Sequence, residues 1–126
     1  MGFLDRFRRT GPKRIVFPEQ LHTVEVGDLH VHTAEELVVL STDLAGARAL
    51  IETAVSRRPM RLTCGDKRPV ALIPLEHARS VPTLDPKLGW LLPLSPETGA
   101  EISRRISREA PGEHELETLN LAVVVS

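Results

Sequence analysis

Residues 36 to 59 read ELVVLSTDLAGARALIETAVSRRP, and this stretch sets the fold class. Leu37 to Leu40 is a continuous apolar run, which suits a strand buried on both faces. Ser41, Thr42 and Asp43 then offer side-chain oxygens to the free N–H groups of a helix start. Leu44, Ala47, Ile51 and Ala54 or Val55 recur at helical spacing and form one apolar stripe. Arg57 and Arg58 complement the negative end of that helix, and Pro59 stops it. A strand, a cap and a helix are therefore expected in that order.

Residues 61 to 81, RLTCGDKRPVALIPLEHARSV, continue the pattern with a hairpin. Met60 to Thr63 reads as a strand and Cys64 to Arg68 as its turn, with Gly65 and Asp66 supplying the unusual backbone angles. Val70 to Leu75 is the apolar return strand. Pro74 cannot donate to a ladder, so it belongs at the strand's end, before LEHARSV turns helical. Further on, KLGWLLPLSPETGAEISRRISREAPG, from Lys87, reads as strand then helix. Ser95 is its N-cap, Pro96 sits at the first helical position, and Ile102 with Ile106 forms the stripe. LETLNLAVVVS closes the chain as a strand. The expected class is α+β: a mixed or antiparallel sheet with two main helices, plus an N-terminal β-hairpin.

Residues 38–59 and 91–112 echo each other: apolar strand, Leu-Ser, Gly-Ala, helix, Ser-Arg, proline. The shared residues are those that capping selects, so the echo is read as two helices obeying the same rules. A duplicated strand-helix unit is the alternative, and it would let two halves pack as an intrachain pseudo-dimer.

The expected N-terminal hairpin turns at Gly27-Asp28. Val24, Val26, Leu29 and Val31 then share one face, while Thr23, Glu25, His30 and His32 share the other with a cross-strand Glu25–His30 pair. The string DLHVHT inside it resembles the first metal-binding motif of the PHP phosphoesterases, which makes His30 and His32 candidate metal ligands. That family's barrel needs a longer chain and further His, Asp and Glu motifs. The hairpin accounts for the same residues, and no metal or other cofactor is expected. MGFLDRFRR spaces Phe3, Leu4 and Phe7 helically among basic residues. Residues 1–14 are read as a basic amphipathic arm and 15–126 as one α+β domain. Membrane-surface contact by residues 1–9 is not expected, since so short a helix is marginal alone.

At 126 residues one core is the natural outcome. There is no tyrosine, one tryptophan (Trp90) and three phenylalanines, so Leu, Val, Ile and Ala must build it. A single cysteine, Cys64, excludes an internal disulfide. With no apolar run of transmembrane length, the chain is read as cytoplasmic. Net charge is −1, yet Arg57, Arg58, Arg61, Lys67 and Arg68 cluster in sequence, whereas Glu109, Glu113, Glu115 and Glu117 make the last quarter acidic.

ARALIETAVSRRPMRLTCGDKRPVALIPLEHARSV, within residues 37–82, resembles the N-terminal domain of the prevent-host-death (Phd/YefM) antitoxins. Arg48 falls at that family's helix arginine. Leu62-Thr63 stands for its Ile-Thr, Lys67 for its lysine, and Leu72-Ile73-Pro74-Leu75-Glu76 for its strand exit. Gly65 and Pro69-Val70-Ala71 are each displaced by one position, and Asp66 adds a negative charge at the turn. The resemblance implies a small domain that forms a homodimer through its sheet, binds DNA and holds a toxin-like partner protein. Arg48 and Lys67 would then be DNA contacts. Arg57, Arg58, Arg61 and Arg68 join them on electrostatic grounds. The expected function is an antitoxin-like, DNA-binding or toxin-binding regulator without catalysis. A structural or interaction protein docking through its N-terminal arm or its sheet is the runner-up, and a metal-dependent hydrolase using His30 and His32 is third. A Cys64–His77 pair is the only candidate for a nucleophile with a base, and Cys64 reads better as a small apolar residue at a strand end.

Overall fold

A computed structural model describes residues 21–76 and 81–126. Nine strands and two helices are seen among them. The order is β1 (His22–Glu25), β2 (Leu29–Ala34), β3 (Leu37–Thr42), α1 (Leu44–Ser56), β4 (Met60–Thr63), β5 (Val70–Pro74), β6 (Thr83–Asp85), β7 (Gly89–Leu94), α2 (Pro96–Arg105), β8 (Gly112–Glu115) and β9 (Leu121–Val125). The class is α+β. Two mixed sheets replace the single expected one: a five-stranded sheet ordered β1-β4-β5-β7-β6 and a four-stranded sheet ordered β2-β3-β9-β8.

The pairing makes the sequence echo a structural repeat. In the first half, β2–β3 is an antiparallel hairpin, α1 follows, and β4–β5 is a second antiparallel hairpin. In the second half, β6–β7, α2 and β8–β9 repeat the same order and the same pairings. Each half puts its two hairpins in different sheets. Parallel pairs then join the halves: β5 with β7 in one sheet, β3 with β9 in the other. Strand by strand, β4-β5-β7-β6 therefore matches β8-β9-β3-β2, and β1 is an addition to the first sheet. Capping rules alone would give similar helices but not these matched partners, so the duplicated unit accounts for the chain and the capping explanation does not.

One core serves both sheets. Met60, Leu62, Val70, Leu72, Leu92 and Leu94 bury the inner face of the five-stranded sheet, and Leu29, Leu40, Leu121, Val123 and Val125 that of the four-stranded one. Ala47, Leu50, Ile51 and Ala54 of α1, with Ile102 of α2 and Ile106 just beyond it, complete the same cluster. The helices approach closely at Gly99, where an added Cβ would lie 3.4 Å from the Ala54 carbonyl oxygen and 3.3 Å from Arg57 Nη1.

Caps fix where each helix begins. Of the three candidate caps of α1, Asp43 is the one used: its Oδ1 accepts from Gly46 N at 3.0 Å and its Oδ2 from Gly27 N at 2.8 Å. Ser95 caps α2 by accepting from Thr98 N at 3.1 Å, with Pro96 in the first turn as expected. The strand, turn and strand expected over 60–74 are present, and Gly65 alone takes the positive φ, at 56°. The helix expected from Leu75 falls largely outside the described residues, as does the arm at 1–14.

The N-terminal hairpin needs correcting. β1 does not fold back on β2 through Gly27-Asp28. It runs parallel to β4, while β2 pairs with β3 through a turn at Glu35-Glu36 in which Glu35 has φ 58°. The reason is competition for the turn's own polar groups. Val26 N donates to Thr63 O, Gly27 N is taken by Asp43, and Asp28 O accepts the Thr42 hydroxyl at 2.9 Å. The segment is thus a corner between the two sheets. Glu25, expected opposite His30, accepts instead from the Thr63 hydroxyl and from Gly65 N.

Glu101, 2% exposed, ties α2 to the β8–β9 turn. Its carboxylate accepts from Glu117 N at 2.7 Å, Thr118 N at 3.0 Å and the Thr118 hydroxyl at 2.6 Å, and Arg105 Nε lies 3.0 Å away. Burial pushes its carboxyl pKa up, but the Thr118 hydroxyl, the two N–H groups and Arg105 together hold it below the ordinary value. The stability Glu101 contributes is therefore fully present above about pH 4.5, its ordinary value, and is lost as the pH falls through the lower folded-state value. Urea titrations from neutral to acid pH will show that loss. Glu101→Gln will cost about 2 kcal/mol at neutral pH and flatten the acid limb.

Candidate functional site

The six cations expected to form one positive patch lie in separate places. Arg48 is exposed on α1, and its Nε donates to the Arg108 carbonyl at 3.0 Å, across to the segment after α2. Arg57 and Arg58 sit where α1 ends and β4 begins. Lys67 and Arg68 are exposed at the far end of β4, at the tip of the β4–β5 hairpin. The strand between them, Met60–Thr63, spans roughly 10 Å, more than a Debye length at physiological salt. Arg61 is half-buried within β4. The structure keeps Lys67 and Arg68 together at the opposite end of β4 from Arg57 and Arg58.

Arg57 holds the two halves together. It is the C-cap of α1, in the left-handed region at φ 59°, where glycine is the usual residue. From there its Nη1 donates to Leu94 O at 3.0 Å and its Nη2 to Leu75 O at 2.8 Å. One guanidinium thus joins the end of α1, the exit of β5 and the β7–α2 junction. Arg58 is different: its side chain is 76% exposed and its guanidinium lies 3.7 Å from the Glu52 carboxylate. An exposed pair of that kind contributes little.

At the hairpin tip, Lys67 and Arg68 border a shallow concavity of about 260 Å³ lined also by Leu29, His30, Val31 and Trp90. Three elements meet there. The tip supplies the cations, β2 the stretch Leu29-His30-Val31, and β7 the chain's one tryptophan. No carboxylate is among these lining residues. Trp90 is fixed by Trp90 N donating to Pro69 O at 3.0 Å, which binds the tip of one half to the first strand pair of the other. Spacing in sequence could not reveal this cluster, because Lys67 and Trp90 are brought together only by the β5–β7 pairing, and His30 only by the contact with the other sheet.

His30 and His32 do share the outer face of β2, with ring centroids 5.8 Å apart. No third His, Cys, Asp or Glu joins them in a metal-ligating group among the described residues. Cys64 is half-buried against the main core, while His77 lies outside the described residues. No helix among the described residues is long and apolar enough to cross a membrane. No protein-family model matches this chain, and no curated protein sequence matches it.

Substituting the two adjacent arginines separates their roles. Arg57→Ala leaves the Leu75 and Leu94 carbonyls without their charged donor and will destabilise by about 2 kcal/mol in urea unfolding. Arg58→Ala will stay within about 0.5 kcal/mol.

Proposed function

We propose that this chain is a non-catalytic binding protein that takes DNA at the tip of its β4–β5 hairpin, in the regulatory manner that its resemblance to antitoxins implies. The observation that supports it is the lining of that concavity. Lys67 and Arg68 offer N–H donors to phosphate oxygens, Trp90 offers a ring for stacking, and no acidic residue is among the described residues that line the space. The footprint is small. Two cations neutralise about two phosphates, which gives a salt slope near −1.8 on logarithmic axes and weak affinity. Arg48, Arg57, Arg58 and Arg61 are left out of this contact surface.

Fluorescence anisotropy of a short labelled duplex, titrated at several salt concentrations, tests the proposal. Binding that weakens with that slope, and that drops at least tenfold in Lys67→Ala/Arg68→Ala at low salt, supports it. Trp90 emission must change on the same titration. No binding at low salt, or binding untouched by the double substitution, removes the DNA reading.

A second reading, an interaction protein docking through a sheet, is favoured by a difference between matched surfaces. Ala71, Ile73, Leu91 and Pro93 on the outer face of the five-stranded sheet are buried, with Leu75 and Leu88 packed against the first three. Their matched positions in the four-stranded sheet are Ala122, Val124, Val39 and Ser41, all only half-buried. The same surface is covered on the five-stranded sheet and open on the four-stranded one.

A further inference from the structure

We infer that the open outer face of the four-stranded sheet docks a second copy of this chain. The inference rests on the sheet-docking reading and adds the partner's identity. Two rows of side chains cross this face in register: His32–Val39–Ala122–Glu115 and His30–Ser41–Val124–Glu113. Both imidazoles belong to one edge strand, β2, and both carboxylates to the other, β8. All four residues are exposed, and the middle of the face, with Leu37, is aliphatic apart from Ser41.

Geometry then selects the partner. Three strand spacings separate the edges, roughly 14 Å, so the histidines cannot meet the glutamates of their own molecule. Two sheets packed face to face keep their strands nearly aligned, about 10 Å apart. A two-fold axis lying between them along the strand direction sets β2 of each copy over β8 of the other. Each dimer then gains two sets of His–Glu contacts around a shared aliphatic centre. A two-fold axis across the strands would oppose Glu to Glu and is disfavoured. The face is self-complementary, as an isologous interface requires. This surface is distinct from the sheet pairing that the antitoxin resemblance implies, because the β3–β9 and β5–β7 pairs already join matched halves within one chain. The apolar strip is small, so the association belongs to the weak, concentration-dependent class.

Sedimentation equilibrium of the full chain, from about 10 µM to about 1 mM, reads it directly. The wild-type chain is expected to dimerise. His30→Glu/His32→Glu opposes Glu to Glu, and Glu113→Lys/Glu115→Lys opposes cation to imidazole, so each variant alone should associate at least tenfold more weakly. An equimolar mixture of the two restores opposite charges at both contacts and should dimerise at least as well as wild type. All four positions are exposed, so far-UV circular dichroism should match wild type in both variants. A monomeric wild type, undiminished association in both variants, or no rescue on mixing overturns the inference. A photo-crosslinker at Ala34→benzoylphenylalanine, on the same face, separates its failure from that of the parent reading. In expressing cells a product of twice the chain mass supports the second copy. A product of another mass overturns the second copy while keeping sheet docking, and no product overturns both.

Discussion

Parallel pairing between halves is the constraint on which the rest of the structure depends. β3 can complete its sheet only beside β9, and β5 only beside β7. Neither half owns a finished sheet, because each sends its two hairpins to different ones. A parallel pair needs a crossover connection: both helices lie on the one between β3 and β9 and carry the chain from one sheet to the other, while the one between β5 and β7 runs through β6. The inner faces of both sheets consequently drain into one core, in which Leu40, Leu72, Leu92 and Val123 are all fully buried on the four joining strands. Stability should therefore be indivisible between the halves.

A few polar groups hold this arrangement in register. Asp43 caps α1 and at once fixes the β1–β2 corner; Arg57 ends α1 and at once fixes the β7–α2 junction; Glu101 ties α2 to the last turn. Each bonds main-chain groups that would otherwise be buried or left at an element's end without a partner, where the cost is a kilocalorie or more. The side chains the sequence offers as DNA contacts thus divide by location. Arg57 belongs to the scaffold, whereas Lys67 and Arg68 project from it.

Local order was largely legible in the sequence. The stripe on α1, the Ser95-Pro96 start of α2 and the position of Pro74 at the end of β5 all follow from short-range chemistry, and all are present; the apolar run at 37–40 forms a strand as expected but is buried on one face only, with Leu37 and Val39 half-buried on the other. Partnership was not legible. Alternation assigns faces to a strand but says nothing about its neighbour, so Gly27-Asp28 reads as a turn until Asp43 and Thr42 are seen to claim its polar groups. β6 and β8, three and four residues long, carry too little apolar pattern to announce themselves. The echo suffered from the same limit, since capping residues recur with or without duplication. Trp90 joined the candidate site for a reason no local pattern contains: its neighbours come from the other half, Lys67 and Arg68 from a hairpin of its own sheet and Leu29, His30 and Val31 from the other sheet.

Two matched halves form one cooperative structure through their exchanged hairpins. Native-state hydrogen exchange on the amides of Leu40, Leu72, Leu92 and Val123 tests this most directly. If the halves are interlocked as described, all four exchange only through global unfolding and share its free energy, in both sheets alike. If the amides of one half or one sheet open at a free energy well below the global value while the rest stay protected, the halves are separable units and not interlocked.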